Sequence, residues 1–263
     1  MPYVEVNGQR VFYEDSGGAG PAVLFSHGFL MDHTMFDPQV EALAPALRCI
    51  RWDARGFGAT QEDGAPFTYW DSAADAVALL DHLGVDSAAW VGMSQGGYLS
   101  LRAALAHPDR VRALVLIDTA ADRDDEATIA GYRELLATWA QGTQAERQEV
   151  AGIVGAIILG DERLAAEWIP TWLAEDSQRM VAPAEALLGR DDVSPRLTEI
   201  EAPALVIHGT QDQAVGLARG EALCAGLPDC RALVRVEGAA HAANLTHPET
   251  VNPALVSFLD EVV

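Results

Sequence analysis

Short apolar runs alternate along the chain with longer stretches whose apolar residues recur every three to four positions. The short runs read as strands at residues 4–6, 11–14, 23–26, 49–52, 89–92, 113–117, 205–208 and 232–236. Several, such as Leu114-Val115-Leu116-Ile117, are apolar on both faces, the pattern of parallel strands covered by helices on each side. Helical patterns fall between them at residues 36–47, 70–83, 95–106, 217–225 and 248–259. The first two strands, joined at Asn7-Gly8, read as an antiparallel hairpin at a sheet edge. The expected architecture is α/β: a mostly parallel eight-stranded sheet with helices on both faces.

The alternation breaks between residues 119 and 199. Amphipathic helical segments occupy 126–141, 145–159, 162–174 and 177–188, with no convincing strand among them. The predicted organisation is therefore a core formed by residues 1–118 and 200–263, interrupted by a helical cap at 119–199. The apolar residues of such a segment mostly pack on one another. A cap must nevertheless present some apolar surface to a ligand, which makes Trp139, Trp168, Ile153 and Ile157 candidate pocket residues.

Of 263 residues, 39 are acidic and 17 basic, giving a formal net charge of −22. That field repels phosphate backbones and anionic lipid, which argues against nucleic-acid or membrane partners. It also disfavours strongly anionic substrates unless arginines gather locally. Lysine is absent, so every basic residue is arginine. The first six residues, Met1 to Val6, look like an initial strand, without a basic region or an apolar signal core. The apolar stretch at 150–160 is too short and too rich in glycine to cross a bilayer. A soluble, cytoplasmic protein is expected; nothing in the sequence sets an oligomeric state. Cys49 reads as a buried free thiol; Cys224 and Cys230 could meet, but a reducing cytoplasm would keep them apart.

The most specific chemical signal is Gly92-Met93-Ser94-Gln95-Gly96. A buried strand, Ala88-Ala89-Trp90-Val91, precedes it, and a helical pattern follows. A serine in a strand-to-helix turn, with a glycine two residues away on each side, is the signature of a nucleophile elbow. A serine hydroxyl is a poor nucleophile at neutral pH and needs a general base, itself oriented by an acid. Of seven histidines, His241 sits in a small-residue loop directly after a strand, near the C-terminus, where chain order places such a base. His27, His33, His82, His107, His208 and His247 read as structural or surface residues. Two aspartates end or follow strands between Ser94 and His241. Asp212 is the favoured acid and Asp118 the alternative. Acyl transfer also needs amides for the developing oxyanion, each worth about 3 kcal/mol. The Gln95 amide follows the serine directly, and the Phe29 amide follows the buried strand ending at Ser26-His27-Gly28. Phe29 and Met93 lie beside the reacting atoms as pocket walls.

Taken together, His27-Gly28-Phe29, Asp53-Ala54-Arg55-Gly56-Phe57-Gly58, Gly92 to Gly97, Gly209-Thr210-Gln211-Asp212 and Gly238-Ala239-Ala240-His241 resemble the α/β-hydrolase superfamily, in its order along the chain. The stretch from Gly238 to Pro248 looks most like bacterial enol-lactonases, small esterases and cofactor-free perhydrolases. The resemblance implies a serine hydrolase with Ser94 as nucleophile, His241 as base and Asp212 as acid. It implies no cofactor, and no His, Cys and carboxylate cluster has metal-ligand spacing. Serine at the elbow argues against haloalkane dehalogenases and epoxide hydrolases. The expected substrate is a small, largely apolar carboxylic ester or lactone. Carbon–carbon bond hydrolysis, perhydrolysis and a triad-bearing ligand receptor are the alternatives, since fold does not dictate function.

Overall fold

A computed structural model describes residues 3–61 and 63–263. Met1 and Pro2, part of the expected first strand, lie outside the described residues. Eight strands form one sheet: β1 (Tyr3–Val6), β2 (Gln9–Asp15), β3 (Ala22–Ser26), β4 (Arg48–Trp52), β5 (Ala88–Met93), β6 (Val111–Ile117), β7 (Ala204–Gly209) and β8 (Cys230–Val236), in the spatial order β1-β2-β4-β3-β5-β6-β7-β8. The β1–β2 and β2–β4 pairings are antiparallel and all others parallel. β5 and β7 are buried at every position, as their unbroken apolar runs require, whereas β8 closes the far edge with several exposed side chains.

Helices α1 (Asp37–Leu43), α2 (Tyr69–His82), α3 (Gln95–Ala106), α8 (Leu217–Gly226), a short α9 (Ala243–Thr246) and α10 (Pro248–Val262) flank the sheet. α2 packs on α3, and α1 on α10. The helix expected at 36–47 is shorter: a 3₁₀ turn at His33–Phe36 leads into α1, which stops at Leu43. Pro45 explains the stop, because it has no N–H to extend the ladder. Similarly, the segment expected at 177–188 splits into a 3₁₀ turn, Ser177–Met180, and α7, Val181–Leu188.

Between β6 and β7 lie α4 (Glu126–Gln141), α5 (Gln144–Ile158), α6 (Glu162–Ala174) and α7. Each of the first three begins at a side-chain cap: Asp125, Thr143 and Asp161 accept from backbone amides three residues on, and Thr143 with Glu146 completes a capping box. Arginines fasten both ends of this helical segment to the core. Arg219 of α8 reaches Asp122 and Asp124 at its start, and Arg102 of α3 holds Asp191 at its end. Arg190 pairs with Asp124 at 2.9 Å, joining the two ends to each other.

No helix among the described residues is long and apolar enough to cross a membrane. Cys224 and Cys230 form a disulfide with Cα atoms 5.4 Å apart, which overturns the expectation that they stay separate. The physical reason is the tight connection between α8 and β8, which brings the two residues together across its mouth. Cys49 is a buried free thiol.

The strand order reverses at β3: the chain passes from β3 to β4 on one side and then returns to β5 on the other. Ligand sites of open α/β sheets form beyond the carboxyl ends of strands at such a point. Here the ends of β3 and β5 carry the Phe29 loop and Ser94. A Cβ built on Gly96 would run into the Ser26 carbonyl, and one on Gly92 into the Gly96 carbonyl. Neither backbone can give way, so Gly96→Ala should cost about 3 kcal/mol, read as a Tm lowered by roughly 6–12 °C. A Tm within 2 °C of the parent would show that β3 and α3 are not held this close.

Candidate active site

Ser94 occupies the junction between β5 and α3 with φ 51° and ψ −113°, a region that non-glycine residues avoid. Its amide donates to the Ile117 carbonyl at 2.9 Å, and its own carbonyl accepts from Gly97, Tyr98 and the Thr119 hydroxyl. These bonds hold the strained backbone and fix the direction of the side chain. Ser94 Oγ lies 2.9 Å from His241 Nε2, and His241 Nδ1 lies 2.8 Å from Asp212 Oδ2. The second Asp212 oxygen accepts from the Ala214 and Val215 amides at 2.8 and 3.0 Å. The carboxylate is therefore pinned, its partner nitrogen carries the proton, and Nε2 is left to accept from the serine hydroxyl.

The electrostatics follow from burial and pairing. Burial alone would raise the Asp212 carboxyl, yet the His241 charge and hydrogen bonds from His208 and His241 hold it well below the usual carboxylate range. Burial likewise opposes a charged His241, but the Asp212 carboxylate overcomes it, and the imidazole ends above its ordinary value.

Asp118, the alternative acid, is placed differently. It ends β6 with φ 47°, and its two carboxyl oxygens accept from the Gly209 and Ala243 amides at 2.7 and 3.0 Å. It thereby clamps the loop carrying Asp212 to the loop carrying His241, without taking the His241 proton. Burial and the neighbouring Asp212 charge push its carboxyl up to about 7. His208 lies behind Asp212, with its Nε2 donating to the Val215 carbonyl at 2.6 Å.

The Phe29 loop is set by His27, whose Nδ1 bonds the Gly28 carbonyl at 2.8 Å while Nε2 accepts from the Ala54 amide at 2.9 Å. Burial holds this imidazole below its ordinary value, consistent with a neutral structural group. The Phe29 amide has no hydrogen-bond partner among the described residues. The Gln95 amide opens α3, where an N–H lacks an intrahelical acceptor and the helix dipole favours an anion.

Ser94 and His241 open into an apolar cavity of about 100 Å³. Phe29, Met93, Trp139 and Ile157 line it, as expected from their positions in the sequence. Trp168 and Ile153 do not. Trp168 faces Pro38, Leu245 and Pro248 in a groove on the outer side of α6, and Ile153 is 45% exposed. The sequence held the signal that separates them: Tyr132, Leu135, Leu136 and Trp139 form one stripe on α4, and Val150, Val154, Ile157 and Ile158 another on α5, all of them lining residues. Ile153 falls off that stripe, and Trp168 belongs to a helix farther out. Tyr98, one turn after Ser94 on α3, and Asp124 also line the cavity, and neither was expected.

Residues 21–248 match the model of the alpha/beta hydrolase fold. The chain belongs to this family. It is 29% identical over 243 residues to 3-oxoadipate enol-lactonase 2 of Acinetobacter baylyi, covering 91% of this chain and 88% of that protein. It is 32% identical over 263 residues to the polyketide synthase ThaQ of Burkholderia thailandensis, covering 94% of this chain but only 12% of that far longer protein. Among solved structures, the enol-lactonase of Burkholderia xenovorans LB400 superposes with a TM-score of 0.88 at 27% identity, over 98% of this chain and 100% of the other. The hydrolase role read from the elbow and the order of motifs agrees with these relatives, and so does the fold.

The two aspartates can be told apart by titration. In the parent, NMR should show His241 titrating above the ordinary value of about 6.5. Asp212→Asn removes the charge that stabilises the imidazolium, so the proton affinity of His241 should fall by roughly tenfold or more. Asp118→Asn should lower it less. A larger effect from Asp118→Asn would reverse their roles.

Proposed function

We propose that this hydrolase cleaves small carboxylic esters or lactones through an acyl-enzyme on Ser94. The observation that carries the proposal is the unbroken hydrogen-bond chain from Asp212 through His241 to Ser94 Oγ, at 2.8 and 2.9 Å, opening into an apolar cavity. His241 Nε2 takes the hydroxyl proton as Ser94 Oγ attacks the carbonyl carbon. Asp212 holds the imidazole in the required tautomer and stabilises its charged form. The Phe29 and Gln95 amides receive the oxyanion. His241 then protonates the departing alkoxide, which in a lactone remains attached to the acyl group. Water enters, gives a proton to His241, and attacks the acyl carbon; collapse of the second tetrahedral intermediate returns the proton to Ser94.

The cavity favours small acyl groups, being well below the 300–1,000 Å³ of sites for drug-sized ligands. Its apolar walls, Phe29 and Met93 beside the serine with Trp139 and Ile157 above it, suit a hydrocarbon chain. Similarity to two enol-lactonases supports the lactone side of this reading.

Ser94→Ala should lower kcat on p-nitrophenyl butanoate by about 10⁴-fold or more, with Tm within 2 °C of the parent. Hydrolysis at the parental rate would refute the nucleophile. For the parent, kcat/KM should fall on the acid side with a midpoint above about 6.5, because His241 must be neutral to accept the proton and its imidazole is held above that value. A rate that is flat down to pH 5 would exclude His241 as the base.

A further inference from the structure

Apart from Ser94 and His241, three polar side chains line the cavity: Tyr98, Tyr132 and Asp124. They form one group, since Tyr132 feels the charge of Asp124 and the Tyr98 ring in addition to burial. Tyr98 is 3% exposed. Neither its hydroxyl nor that of Tyr132 makes a hydrogen bond to any described residue. The buried Tyr69 hydroxyl, by contrast, reaches Gln95 Oε1 at 3.4 Å. Neither hydroxyl is sealed from the cavity, so a ligand oxygen there can accept from it, whereas an alkyl chain would strip it of hydrogen bonds.

The surroundings decide which ligand group fits. The Arg190 guanidinium lies 4.4 Å from the Tyr98 ring centroid and fixes that ring in place. Asp124 accepts from Arg190 at 2.9 Å through one oxygen and from Arg219 at 2.5 Å through the other, and Arg219 also pairs with Asp122. Two arginines thus face two aspartates, and the group as a whole is charge-balanced. A carboxylate on the ligand would find both arginines already matched to aspartates, with the Asp212 carboxylate close behind Tyr98 and Tyr132. An ammonium would meet an aspartate already neutralised by two arginines. What remains is an uncharged oxygen that accepts from phenolic hydroxyls.

We propose that the cavity holds an acyl group bearing a neutral oxygen substituent, a hydroxyl or a ketone, hydrogen-bonded by Tyr98 and Tyr132. The substrates are then hydroxyacyl or oxoacyl esters, or the corresponding lactones, in preference to plain alkyl esters and to esters carrying a free carboxylate. The acyl side is the relevant one because the acyl group stays on Ser94 through both half-reactions while a separate alcohol must leave. This inference rests on the acyl-enzyme reading and narrows it.

The test is a set of p-nitrophenyl esters of equal chain length: butanoate, 2-hydroxybutanoate, 3-hydroxybutanoate, 3-oxobutanoate and hemisuccinate. In the parent, at least one oxygenated neutral ester should exceed butanoate in kcat/KM by about fivefold to tenfold, and hemisuccinate should fall below butanoate. Tyr98→Phe and Tyr132→Phe should each reduce that ratio, and the double variant should bring it close to one. The proposal is overturned if no oxygenated ester exceeds butanoate, if hemisuccinate is preferred, or if the double variant lowers all rates in equal proportion. Loss of the acyl-enzyme reading would show itself separately, as equal activity in the parent and Ser94→Ala. In that case calorimetric binding of 3-hydroxybutanamide and butanamide to the Ser94→Ala protein, with and without Tyr98→Phe, still decides the subsite. Tighter binding of the hydroxyamide that disappears in the Tyr98→Phe protein supports it, and equal binding refutes it.

Discussion

The close approach of the first turn of α3 to the end of β3 is the constraint on which the rest of the site depends. Gly96 lies against the Ser26 carbonyl, and Gly92 lies against Gly96, with no room for a methyl group at either position. This contact forces the chain to reverse direction within a residue or two, and Ser94 takes up the strain at φ 51°. A relaxed serine at the same point would lie along the strand or into the helix, where its hydroxyl would be buried among apolar side chains. The strained one projects beyond the sheet, between the Phe29 loop of β3 and the His241 loop of β8. Two further consequences come from the same geometry. The Gln95 amide is left free at the helix start, and Tyr98 follows one turn later along the cavity wall.

The second requirement is that the His241 loop, 147 residues from the serine, and the Asp212 loop keep their registration closely enough to hold hydrogen bonds of 2.8 and 2.9 Å. Asp118 meets this requirement from beneath. By bonding the Gly209 and Ala243 amides, one carboxyl ties the start of the acid loop to the end of the histidine loop. Gly209, in turn, packs so closely on the Ala239 and Ala240 carbonyls that a side chain there would separate the loops. The His241 loop is also fixed from the helical segment between β6 and β7, where the Ala242 amide donates to the Ile158 carbonyl at 2.8 Å. The helical segment and the triad are therefore parts of one framework, and repacking α5 would be felt at the imidazole.

Much of this was legible in the sequence because strands and elbows have strong local signatures. All eight strands lie where the apolar runs indicated, and Ser94, His241 and Asp212 come together in one chain of hydrogen bonds. Asp212 is favoured over Asp118 from its loop position alone, since both follow buried strands and only the direction of their side chains, which the sequence does not carry, separates them. Directions set by a positive φ, as at Asp118, leave little trace in composition. Trp168 and Ile153 were misplaced for a related reason: residue type was weighed more heavily than helical phase. The stripe at Tyr132, Leu135, Leu136 and Trp139 carries the phase, and it is plain once α4 is known to face the serine. The Cys224–Cys230 pairing depends on how a connection folds back, which spacing in the chain does not reveal.

The absence of lysine acquires a structural meaning where the helical segment joins the core. Arg219 bridges Asp122 and Asp124, Arg102 reaches both the side chain and the carbonyl of Asp191, and Arg190 joins Asp124 while stacking on Tyr98. Each contact uses a planar guanidinium, whose rigid fork meets several separated acceptors in a geometry that a point-like ammonium does not offer. In a chain of net charge −22, arginines near a cavity would be expected to attract anionic ligands. Every one of the three is instead matched to an aspartate. Their charge fixes the walls of a pocket whose lining is mainly apolar.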